Sequence, residues 1–156
     1  MDPAQGYALA QQILKAWNHR PCALPRGDGW EFRDGHVLNV LNYSAQHERP
    51  SITITAGIAT ETPVSTNAYV ALNEQNSQLM FGRIFLRLIG PQSAAILLQE
   101  IIPLVATSWD YPLSIEHVHA VVNTIVQGAN SIEGDLRSLG GRPFNDREGF
   151  LVGTLG

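Results

Sequence analysis

Cysteine and lysine are almost missing from this 156-residue chain, which has one of each, Cys22 and Lys15. A single thiol excludes an internal disulfide and a thiolate-based zinc site. The opening residues Met1, Asp2 and Pro3 are not the basic run that precedes the apolar stretch of an export signal, so a cytoplasmic, reducing compartment is expected. Charge is also scarce, at 15% of residues against roughly a quarter in an average globular protein. Ten basic and 14 acidic residues give a net charge of −4, which offers no footprint for phosphate backbones and argues against a nucleic-acid partner. Long apolar runs are lacking too. The longest candidate, Ile96 to Val105, is broken by Gln99, Glu100 and Pro103, well short of the roughly 18 residues that cross a bilayer, so no membrane partner is expected. What is present is a 44% hydrophobic composition in a length suited to one core.

Periodicity divides the chain into elements. Asp2 and Pro3 start a helix that carries Leu9, Ile13, Ala16 and Trp17 on one stripe and ends near Arg20, before a loop from Pro21 to Gly29. Trp30 to Arg33 and His36 to Tyr43 form a hairpin about an Asp34-Gly35 turn. A third strand, Ser51 to Ile58, places Ile52, Ile54, Ala56 and Ile58 on one face. Pro63 to Ser77 reads as a second helix, Leu79 to Leu88 and Ala94 to Ile102 as two more strands, and Pro103 to Leu113 as an aromatic, proline-bearing connection. Ser114 caps a long helix in which Ile115, Val118, Val122, Ile125, Ala129, Ile132, Leu136 and Leu139 alternate three and four apart until Gly140 and Gly141. At about 1.5 Å per residue it would run on the order of 39 Å, enough to cross the width of a five-stranded sheet and overhang it. Its stripe suits packing across that sheet, or pairing in a homodimer. The expected fold is α+β, an antiparallel sheet of about five strands with three helices in the order α-β-β-β-α-β-β-α. Residues 1–141 form a single domain, and 142–156 an apolar C-terminal tail.

No catalytic set emerges. His117 and His119 lie two apart on a helix, about 200° around it, and cannot share a metal ion. Cys22 follows the end of a helix, the wrong pole to lower a thiol pKa. Gly27, Asp28 and Gly29 lack the rest of a phosphate loop. Glu133, Asp135, Asp146 and Glu148 read as solvated charges. No catalytic residue, metal ligand or cofactor is therefore assigned. Two patterns suit binding. Trp109 and Tyr111, around Asp110 and before Pro112, could wall a ligand pocket or close the end of a core. Arg83, Phe85 and Arg87 share the strand face opposite Ile84, Leu86 and Leu88, with the two arginines about 13 Å apart at 3.3 Å per residue. They could clamp an extended acidic peptide, or lie under a helix or tail of the same chain.

The segment LNEQNSQLMFGRIFL, Leu72 to Leu86, resembles the helix-to-strand junction of the YbjN family, in which an Asn-rich helix end passes into a strand bearing a phenylalanine, a glycine and a basic residue, here Asn76, Phe81, Gly82 and Arg83. Asn76 suits the left-handed conformation that ends a helix, and Gly82 lets a neighbour approach closely. The resemblance implies the fold of type III secretion chaperones, a protein or peptide client, and no catalytic residues; some YbjN-like proteins are described as sensory-transduction regulators. The expected function is thus a non-enzymatic protein- or peptide-binding module, chaperone-like or adaptor, with a small-molecule-binding or sensory-transduction regulatory domain as the alternative.

Overall fold

A computed structural model describes residues 8, 11, 12, 15, 22, 23, 29–44, 51–103 and 115–156. Ala8, Gln11, Gln12 and Lys15 are helical and exposed, while the rest of the expected first helix lies outside the described residues. The described strands are β1 (Cys22–Ala23), β2 (Gly29–Asp34), β3 (Val37–Ser44), β4 (Ser51–Pro63), β5 (Arg83–Gly90) and β6 (Ser93–Pro103). The helices among them are α1 (Thr66–Asn76), α2 (Ile115–Arg137) and α3 (Gly149–Leu155). The fold is α+β, as read from the sequence: five long antiparallel strands, with the two-residue β1 added at one edge, in the order β1-β2-β3-β4-β6-β5.

The differences from expectation have local causes. Cys22 and Ala23, read as loop, pair with Glu31 and Trp30. Asp34 pairs with Val37, so the hairpin turn is Gly35-His36, with Gly35 at φ 59°. Strand β4 continues past Ile58 to Pro63 because register shifts around Ala59 re-aim the chain to keep pairing with β6. Helix α1 therefore starts later, where the Ser65 hydroxyl accepts the Ala68 N–H at 3.1 Å. The following strand starts at Arg83, four residues later than its alternation suggested. The Ser114 cap lies outside the described residues.

Both faces of the sheet are covered. Helix α2 lays Val118, Val121, Val122, Ile125, Val126, Ala129 and Leu136 on the face formed by Ile52, Ile54, Ala56, Ile58, Ile84, Ile96 and Leu98. The stripe is thus used against the sheet, and the exposed side of α2 is polar, with Glu116, Thr124, Gln127 and Asn130. Glu133, expected to be solvated, is instead only 5% exposed and pairs with Arg137, one turn on, at 3.1 Å. Its place in the stripe, between Ala129 and Leu136, turns it inward. The opposite face holds a smaller core of Leu38, Val40, Ala95, Leu97, Phe144 and Val152, so residues 142–156 pack back on the sheet. Their entry is fixed by Arg142, whose N–H and C=O bond with Thr60 at 2.9 and 2.8 Å. The Arg142 guanidinium reaches Glu61 and Glu148, each at 2.9 Å. Farther along, Arg33 holds Asp146 at 2.8 Å and the Phe144 carbonyl at 2.6 Å.

A candidate peptide-binding edge

Strand β5 is the last strand of the sheet, paired with β6 on one side. Its register sets Arg83 opposite Gln99, Phe85 opposite Leu97 and Arg87 opposite Ala95. Alternation places the three side chains on one face, and the two guanidinium carbons stand 5.2 and 5.4 Å from the Phe85 ring centroid. Both arginines fold toward the ring between them, where the negative face of the π-system attracts them. The ring is half-buried against the smaller core, on which Leu151 and Leu155 also pack. Arg87 Nε also donates to the Leu155 carbonyl at 3.0 Å. One side of the row is therefore occupied by the chain's own last helix, while both arginines remain exposed.

The outer edge of β5 carries the decisive geometry. The Ile84 N–H donates to Asn76 Oδ1 at 2.7 Å, and Asn76 Nδ2 donates to the Ile84 carbonyl at 2.8 Å. Both backbone groups of Ile84 therefore point away from β6. Because these groups alternate sides along a strand, those of Leu86 and Leu88 point the same way. No hydrogen bond from another described residue reaches them. Leu88 is 62% exposed at this edge. Helix α1, whose last residue is Asn76, carries Tyr69 and Val70, 55% and 51% exposed.

Asn76 works differently from the sequence-based expectation. It is the last helical residue and does not adopt the left-handed conformation; Ser77 closes the helix at φ −66° and ψ −17°. The Asn76 carboxamide serves the strand eight residues on, a role visible in sequence only as an asparagine between a helix and a strand. Gly82 behaves as its type suggests. It sits at φ 79°, and a Cβ there would come within 2.7 Å of Ile125 Cδ1 and 3.1 Å of the Gln99 carbonyl. Its N–H donates to Glu100 at 2.8 Å. Beside it, Gly82, Arg83, Gln99, Glu100 and Ile101 line a shallow groove of about 320 Å³.

The other candidates do not join this edge. Trp109 and Tyr111 lie outside the described residues. His117 and His119 sit on α2, exposed and half-buried respectively, and no group of three potential metal-binding side chains occurs among the described residues. Among the described residues no helix is long and apolar enough to cross a membrane.

No protein-family model matches the chain, and no curated protein does. A solved structure does. The chain is similar to the crystal structure of YbjN from E. coli, at a TM-score of 0.48 and 10% sequence identity, over 80% of this chain and 89% of that one.

Proposed function

We propose that this chain is a non-enzymatic binding module that takes up an extended segment of a client protein along the edge of β5. The observation that carries the reading is the outward-facing backbone of Leu86 and Leu88 at the end of the sheet, with the exposed Arg83 and Arg87 about a half-buried Phe85 on one side and the exposed Leu88 on the other. An unpaired edge is a template for a further strand: main-chain bonds supply part of the affinity and alternate side chains the selectivity. A chain with only 15% charged residues also suits clients recognised by backbone and apolar contact more than by a broad field.

Selection from a random-peptide display library, followed by binding to the parent and to Leu88→Pro, tests this. Proline removes the outward N–H at a position where an edge strand tolerates it. The expected result is a family of peptides that bind the parent and lose most of their affinity for the variant, both proteins melting within a few degrees of each other. Peptides that bind both equally, or no selected peptide at all, would refute strand addition at β5.

A further inference from the structure

We infer that the client segment is an acidic strand alternating with apolar residues, held in a register that stops at Asn76; this rests on the strand-addition reading. The Asn76 carboxamide presents one acceptor and one donor to Ile84, as the peptide group of a neighbouring strand would. It therefore ends the open edge at Ile84. At the other end the chain turns through Pro91 and Gln92 into β6. Two residues, Leu86 and Leu88, remain to exchange hydrogen bonds, about 7 Å apart along the strand. Four main-chain bonds of modest net worth do not hold a peptide alone, so side chains must supply the rest.

Those side chains are specified by what flanks the edge. On one face the incoming strand runs beside Phe85 and Arg87, and the Arg83 guanidinium reaches toward the same ring. Arg83 and Arg87, like Arg147, lack an ion-pair partner among the described residues, whereas Arg33, Arg137 and Arg142 have one. Arg87 spends its Nε on Leu155 and keeps its two terminal nitrogens. Carboxylates on the client complement this face. On the other face the client meets the half-buried Leu86 and the exposed Leu88, and apolar residues complement these. Side chains alternate along a strand, so the two demands give one pattern, acidic and apolar in turn. The net charge of −4 means that attraction for such a client comes from these two guanidiniums and not from the overall field.

The test uses three capped nine-residue peptides: glutamate alternating with valine, lysine alternating with valine, and a scrambled glutamate-valine sequence. Amide exchange followed by NMR should show Leu86 and Leu88 protected by the alternating glutamate peptide, with Ile84 unchanged. That peptide should bind about tenfold more tightly than either control, and Arg83→Gln with Arg87→Gln should remove its advantage over the lysine peptide. In Asn76→Ala the protection should extend to Ile84. Equal binding of the three peptides, failure of the glutamate peptide to bind at millimolar concentration, or protection centred elsewhere would overturn the inference. Strand addition itself would survive that outcome if the display-selected peptides still lose affinity for Leu88→Pro, so the two failures are distinguishable.

Discussion

Replacing Gly57 by alanine tests whether residues 142–156 are built into the core or merely rest on it. Gly57 lies in β4 under the smaller core, and a Cβ there would stand 2.7 Å from Val152 Cγ2, 2.9 Å from Phe144 Cδ2 and 3.1 Å from the Leu38 carbonyl. Phe144 and Val152 are 1% and 0% exposed, so neither can swing into open space. Overpacking of this kind costs about 1–3 kcal/mol. The backbone freedom that glycine loses on folding returns roughly 0.5–1 kcal/mol of this when alanine replaces it. With two contacts under 3.0 Å the upper half of the range applies, a net destabilisation of about 1–2.5 kcal/mol, or roughly 2–10 °C in Tm for a chain of this size. Gly128 supplies the control, since nothing stands within 4 Å of its Cβ position in α2. There the same substitution should stabilise by about 0.5–1 kcal/mol. Urea denaturation should give shifts of opposite sign, and amide exchange should be faster in α3 of Gly57→Ala alone. If Gly57→Ala is stabilised as much as Gly128→Ala and α3 exchanges as in the parent, the packing of residues 142–156 against β4 is wrong.

Further predictions address the large core, the charged contacts and the edge. Val122, fully buried against the sheet, should lose about 3 kcal/mol or more of stability as Val122→Asp, measured by denaturation; a parent-like midpoint would mean that α2 does not cover the sheet. The Arg142 guanidinium holds the Glu148 carboxyl below its ordinary 4.5, so this pair stabilises the fold above that pH and its contribution is lost as pH falls through the lowered value. Glu148→Gln should therefore be less stable than the parent at pH 7 and should converge with it in acid, as read from Tm against pH. Glu31 has the opposite sign: burial, and then the nearby Asp146, raise its carboxyl above 4.5. Its contribution is complete below 4.5 and is lost as pH rises through the raised value. Glu31→Gln should accordingly raise Tm at neutral pH and leave it unchanged in acid. The double variant Arg83→Gln, Arg87→Gln should melt within a few degrees of the parent, because both side chains are exposed; a larger loss would give the row a structural role.

Whatever depends on neighbouring residues was legible before any tertiary contact formed. Alternation of Ile52, Ile54, Ala56 and Ile58 defined the helix-covered face of β4, and the three-four spacing from Val118 to Leu136 defined the inward side of α2. Alternation likewise placed Arg83, Phe85 and Arg87 on one face, because a strand repeats every two residues whatever it packs against. The resemblance carried by Leu72 to Leu86 pointed to an antiparallel α+β fold, and the sheet has that form. Tertiary structure decided the rest. Strand order puts β6 between β4 and β5, which leaves β5 at the edge, and no local pattern records which strand is outermost. The turn from Asn76 to Ile84 required a helix and a strand to be laid side by side before a carboxamide could replace a missing strand. Cys22 and Ala23 became strand only because β2 offered an edge, and Glu133 was buried only because the stripe beside it met the sheet. Phe144 and Val152 found Leu38, Val40 and Leu97 through contacts far apart in the chain, closed over a glycine whose missing side chain has no meaning until those elements meet. Period is a property of the local backbone; pairing, edges and burial of the unexpected residue are properties of contacts between segments that the chain brings together only on folding.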